Sequence, residues 1–176
     1  MKKNSLLLII TLFCVAFTFA QQEASYWYFG QNAGLRFNAG NGTVTAITDG
    51  QLSTLEGCTS ISDTSGNLLF YSDGRTIWNA NHIAMANASE ALNTGLKGDE
   101  SSTSSGVPKP QDPDSYYIFT VDEPHHDNPS PATATDDGLN NGLMYSLVDI
   151  TLDGGLGDVV DAEKNVPLIT YDPTNT

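Results

Sequence analysis

No window of this chain sets apolar residues at three- and four-residue spacing between helix caps, and 16 Gly with 8 Pro interrupt it at short intervals. Strands are therefore the element the chain can build, and the expected fold class is all-β. Strand candidates are Tyr26 to Phe29, Leu35 to Asn38, Thr43 to Thr48, Cys58 to Ser62, Leu68 to Ser72, Thr76 to Asn79, Tyr116 to Val121 and Leu143 to Ile150. Each is bounded by Gly, Asn, Asp or Pro, which supply the turns. Their spacing fits an antiparallel meander.

Two runs say more. In Leu68-Leu69-Phe70-Tyr71 and in Tyr116-Tyr117-Ile118-Phe119 both alternating faces are apolar, which suits strands covered on two sides. Both are expected to be inner strands. Each follows a turn, Asp63 to Asn67 or Gln111 to Ser115, and each is closed by an aspartate, Asp73 or Asp122. Superposing Leu68 on Tyr117 gives an offset of 49 residues, in the range of one four-stranded propeller blade with its loops. Such a sheet cannot bury both faces alone and must stack between like neighbours. A propeller ring takes about four to eight blades. The expectation is thus antiparallel blades of a β-propeller-like fold, incomplete, with about two to three blades.

Residues 1–20 read as a secretory signal peptide. Lys2 and Lys3 give a positive start, Leu6 to Phe19 an apolar run too short to remain as a membrane span, and Thr18-Phe19-Ala20 a cleavage site before Gln21. Cys14 lies mid-run behind Phe13, against a lipoprotein signal. The expected mature domain is 21–176, with long loops at 81–113 and 123–141 and no membrane span after cleavage. Losing Lys2 and Lys3 takes the formal charge from -14 to -16, which argues against nucleic acid or an anionic membrane as partner. Cys58 is then the only cysteine, so no internal disulfide staples the domain.

The candidate chemistry is thin. Asp122, His125, His126 and Asp127 put four potential ligands close together, but adjacent histidines point apart in extended chain and no metal-ligand spacing accompanies them. A solvated loop is the expectation there. Gly154-Gly155-Leu156-Gly157-Asp158 lacks the acid and the tandem copies of a glycine-rich calcium repeat and reads as a turn. Asp63 to Asn67 lacks the final glutamate of an EF-hand loop and also reads as a turn. His82, after Trp78-Asn79-Ala80-Asn81, is expected to cap or pack a blade edge. No nucleophile elbow, phosphate loop or histidine beside a serine or cysteine is present. No catalytic, cofactor-binding or metal residue is assigned; calcium is the ion that the many carboxylates could take.

Glu56 to Asp63, Gly66 to Gly74 and Ile77 to His82 carry a family resemblance, joined by Trp27-Tyr28-Phe29-Gly30, Ala33-Gly34-Leu35, Thr48-Asp49-Gly50, Val107-Pro108-Lys109-Pro110, Tyr116 to Asp122 and Gly142 to Asp149. From Tyr26 to about Leu168 the chain resembles the N-terminal region of large secreted Bacteroidetes proteins that carry a gliding-motility-associated C-terminal domain for type nine secretion. The resemblance implies a propeller-like N-terminal fragment of a larger protein, exported to the outer cell surface or released. Relative to that family, the stretch before Val107 is short and the insertion Glu123 to Asn141 long. The leading expectation is a non-enzymatic binding or adhesion module for an extracellular glycan or envelope protein. The alternatives are a secreted, calcium-dependent hydrolase on the same scaffold and an architectural spacer of an adhesin.

Overall fold

A computed structural model describes residues 22–54, 57–98, 105–122 and 141–169. The signal peptide and the His125-His126-Asp127 segment lie outside the described residues. Eleven strands are described: β1 (Tyr26–Phe29), β2 (Ala33–Asn38), β3 (Thr43–Ile47), β4 (Thr59–Ser62), β5 (Leu68–Ser72), β6 (Ile77–Asn79), β7 (Ser105–Pro108), β8 (Ser115–Val121), β9 (Leu143–Asp149), β10 (Asp158–Val159) and β11 (Val166–Ile169). The only helical pieces among the described residues are single 3₁₀ turns. The protein is all-β.

The strands form three antiparallel sheets, and none closes into a barrel. The first sheet runs β1-β2-β3 and the second β4-β5-β6. The third runs β7-β8-β9, with β10 and β11 sharing the far edge of β9. Each sheet is thus a meander that begins with an edge strand and steps away from it. In the second sheet the chain after β6 turns back alongside it: Asn79 N donates to Ile83 O, Met85 N to Ile77 O and Ile77 N to Ala88 O. Residues 83–88 therefore supply an irregular fourth strand to that sheet.

The first strands β1, β4 and β7 lie side by side. Two hydroxyls of β4 tie them together. Ser60 Oγ accepts from Tyr28 N at 2.8 Å, and Thr59 Oγ1 accepts from Gly106 N at 3.1 Å. The close approach of β4 and β7 needs a glycine on β7: a methyl group on Gly106 would come within 2.8 Å of Ile61 Cγ1 and Cδ1.

The second sheet is packed on both faces. Toward the first sheet it presents Tyr71, Trp78 and Leu68, which meet Tyr28, Tyr26, Ile47 and Leu52. Toward the third it presents Phe70 and Ile77, which meet Tyr116, Ile118, Val148 and Val159, with Met85, Ala88 and Leu96 filling in. Phe70 and Tyr71 are neighbours in β5 and both are 0% exposed, as an inner strand with two apolar faces requires. β8 is also an inner strand, between β7 and β9, but only Tyr116, Ile118 and Thr120 face the core. Tyr117 and Phe119 stay half-buried because no described sheet stacks beyond the third one.

The 49-residue repeat has a structural counterpart. Asp73 and Asp122 close β5 and β8, both buried, and each carboxylate gathers chain from beyond its strand. Asp73 Oδ1 accepts from Arg75 N and Thr76 N; Asp122 Oδ2 accepts from Asn141 N and Nδ2. The described residues of 81–113 hold more regular structure than a long loop. They include the 83–88 strand segment, a 3₁₀ turn at Glu90–Leu92, and β7. Ser105-Gly106-Val107-Pro108 lacks alternation, and Pro108 is tolerated because β7 is an edge strand. β10 and β11 leave no mark in the sequence because each is too short or too exposed to carry a pattern.

Candidate functional site

Two places on the scaffold gather side chains that could do chemistry. The first lies at the contact between the first and second sheets and is built on an aromatic stack. Tyr28 and Tyr71 lie with ring centroids 4.4 Å apart, and Tyr71 and Trp78 at 5.5 Å, both pairs stacked. Gly50 makes room for this, since a methyl group there would sit 2.5 Å from Tyr28 Cδ1. The neighbouring Asp49 then reaches the cluster, and its Oδ1 accepts from Tyr28 Oη at 2.9 Å.

His82 arrives from the opposite sheet. Asn79, at the end of β6, accepts from Asn81 N and Ile83 N through Oδ1, while its carbonyl accepts from His82 N. This tight turn holds His82 at φ +60° and puts its ring edge-on to Tyr28. Tyr71 Oη accepts from Gln51 N at 2.9 Å and lies 3.1 Å from His82 Nδ1. On the other side of the ring, His82 Nε2 lies 3.6 Å from Asp49 Oδ2. Burial pushes the Tyr71 hydroxyl up to about 12, aided by the Asp49 charge and opposed by the Gln51 N–H. Burial raises Tyr28 as well, and the hydrogen bond to Asp49 adds to it. Both phenols are therefore neutral donors at ordinary pH.

Tyr28 and Tyr71 are sealed in, while Asp49 is exposed and His82 and Trp78 are partly so. The cluster ties two sheets together through a chain of hydrogen bonds. His82 packs at a sheet edge, where the sequence puts it, but Asp49 as its partner is a contact across sheets that no local spacing announces. Cys58 packs nearby, half-buried, with its thiol pushed up by burial.

The second place is a cleft of about 710 Å³ between the second and third sheets. Ile61 and Ser62 of β4 form one wall, Gly106 and Pro108 of β7 with Tyr116 of β8 the other. Lys109, Gln111, Asp112 and Pro113 of the β7–β8 turn and Glu23 of the N-terminal 3₁₀ turn form the rim. Lys109 and Asp112 pair at 3.2 Å. The walls are mainly apolar and the rim carries both signs of charge, the make-up of a site that desolvates a ligand and orients it. Ser62 is 1% exposed, and its hydroxyl has no hydrogen-bond partner among the described residues.

No family model, curated protein or solved structure matches the chain.

The other sequence candidates fall as follows. Asp63 is a turn-former: its Oδ1 accepts from Ser65 N and Asn67 N, both at 2.8 Å. Burial raises its carboxyl somewhat, but the Asn67 side chain and three backbone N–H groups outweigh that and hold it below its ordinary value. Gly154, Gly155 and Gly157 all have positive φ, the conformation for which glycine is suited. Asp122 belongs to the β8 closure and not to a ligand set with described neighbours. Among the described residues no three His, Cys, Asp or Glu side chains converge as a metal site would require. No described helix is long and apolar enough to cross a membrane.

Proposed function

We propose that the chain is an exported, non-enzymatic binding module: three consecutive blades of a β-propeller-like scaffold whose cleft between β4 and β7 takes an extracellular ligand, a glycan or an envelope protein. The propeller reading is supported by the three side-by-side first strands, since a propeller sets the first strand of every blade next to its axis. It is supported too by the outward order of strands in each sheet and by the middle sheet's burial on both faces. The family resemblance points the same way. Export rests on the leader at 1–20, and a final location at the outer surface rests on the resemblance.

The cleft carries the binding reading. It is walled by Ile61 on one side and Pro108 on the other and rimmed by Glu23, Lys109 and Asp112, with no histidine or cysteine among its described lining residues. Such a lining suits recognition of a ligand with apolar faces and polar edges better than covalent chemistry. The test is a glycan array, with a pull-down from the outer envelope, using the exported chain and the double variant Glu23→Ala, Gln111→Ala. Retention of a glycan or envelope protein that weakens in the variant is expected. Turnover of a polysaccharide with no retained ligand would overturn the proposal, and equal retention by the variant would move the site out of the cleft.

A further inference from the structure

The stack of sheets has a direction, and each of its two ends leaves a face open. In the first sheet the register Trp27↔Leu35↔Ala46, Phe29↔Ala33 and Phe37↔Val44 puts these side chains on the face turned away from the second sheet. That face is apolar throughout and exposed: Trp27 by 50%, Phe29 by 38% and Val44 by 56%. In the third sheet the register Val107↔Tyr117↔Leu147, Phe119↔Tyr145 and Val121↔Leu143↔Ile169 does the same on the opposite end. Val107, Val121 and Ile169 are 42%, 39% and 64% exposed, around the packed rings of Tyr117, Phe119 and Tyr145. The first ridge holds no charged residue in its register. The third is bordered by acid, with Asp149 opposite Ser115 at its end and Glu163 beside Tyr145, and its centre at Leu147 is already covered, at 4% exposed, so its open part runs from Val107 over Tyr117 and Phe119 to Val121 and Ile169. Contiguous apolar faces of this kind mark interaction surfaces.

The molecule itself indicates what fits each face. Both internal junctions join the far face of one sheet to the near face of the next: Tyr28 onto Tyr71, then Phe70 onto Tyr116. The third sheet's open face is a far face, and the first sheet's open face is a near face. They are the two halves of the same kind of junction, borne on one chain. We propose that the third sheet of one copy docks on the first sheet of a second copy, head to tail, continuing the stacking already made twice inside the molecule. Such a heterologous contact yields a closed ring where the rotation closes and an open filament where it does not. The inference stands on the sheet faces and not on the cleft, so ligand-binding results leave it untouched.

Two single-face variants test it by sedimentation of the exported chain. Phe119→Lys blocks the far face and Trp27→Lys the near face, each at a position already partly in water. Wild type is expected to sediment above the mass of one copy, more so in high salt, which screens the repulsion between acidic chains. Each variant alone has no complete junction and is expected to sediment as one copy. Mixed in equal amounts, they restore one junction between the near face of Phe119→Lys and the far face of Trp27→Lys, and a two-copy species is expected. Near-ultraviolet circular dichroism checks that each variant is folded; Val107→Lys and Val44→Lys, at more exposed positions of the same two faces, serve in their place where it is not. A wild type that stays at one copy, variants that assemble like wild type, or a mixture that stays at one copy would each overturn the proposal.

Discussion

Substituting Gly106→Ala probes the junction between β4 and β7 at the point where the sheets come closest. The new methyl group would meet Ile61 Cγ1 and Cδ1 at 2.8 Å and Thr59 Oγ1 at 3.3 Å, so the strands must part or Ile61 must leave its rotamer. Overpacking of this kind costs about 1–3 kcal/mol. Strand separation also weakens the hydrogen bond from Gly106 N to Thr59 Oγ1, worth about 0.5–1.5 kcal/mol. Against this, alanine stiffens the unfolded chain and returns about 0.4–1 kcal/mol. The balance is a loss of about 1–3 kcal/mol, read from urea unfolding of the exported chain followed by tryptophan fluorescence. Because the clash is with Ile61, it should vanish in an Ile61→Ala background, which removes both offending atoms. There Gly106→Ala is expected to be neutral or stabilising, giving a coupling of about 1–3 kcal/mol in the double-mutant cycle. Equal costs in the two backgrounds, agreeing within about 0.5 kcal/mol, would refute the contact and with it the packing of β7 against β4.

Tyr71→Phe leaves Gln51 N and His82 Nδ1 without their shared partner and is expected to cost about 1–3 kcal/mol in the same assay. Tyr28→Phe should cost less, because its partner Asp49 is solvent-exposed and water can replace the phenol; the reverse order would count against the network. Phe70→Ala empties a site that is 0% exposed and edge-on to Tyr116, at about 3–5 kcal/mol, and a loss below about 1 kcal/mol would contradict a packed core there. Asp73 titrates above its ordinary carboxylate value chiefly because it is buried, against the pull of the Thr76 and Arg75 N–H groups and with a further push from Glu90. Between the ordinary value and the raised one the folded protein holds more protons than the unfolded chain, so this group makes stability fall as pH rises through that window. Asp73→Asn, which keeps an acceptor oxygen, should remove that slope when variant and wild type are compared pH by pH; a wild type that gains stability over the variant as pH rises there would reverse the sign.

The sequence reveals the strands because the turn chemistry brackets them. β1 and β5 lie where alternation and flanking Gly, Asp and Asn place them, and β2, β3, β4, β6, β8 and β9 differ only at their ends. It also marks β5 as inner, since Phe70 and Tyr71 are both large and apolar on opposite faces. The same pattern in β8 overstates its burial: Tyr117 and Phe119 face outward from a terminal sheet, and local sequence does not say which sheet is terminal. β7 stayed hidden because its pairing with β8 and its contact with β4 are made by backbone and by a glycine. The candidate sites were less legible. Asp49 and His82 are 33 residues apart in the chain, and the cleft walls come from β4 and β7, so both depend on the stacking of sheets. Thr48-Asp49-Gly50 and Ile77 to His82 supply residues to the junction between two sheets, a role that neither segment announces by itself.

The double covering of the β4–β6 sheet sets an order of opening. In a linear stack each layer is held by its neighbours, so an end layer breaks one junction when it detaches and the middle layer must break two. Amide hydrogens of β5, central in its own sheet and enclosed by both neighbours, should exchange only on global unfolding. Those of β3, whose side chains are mostly in water, should exchange through local opening well before. Capping either end of the stack would then protect amides far from the cap, by adding a junction to the layer beside it.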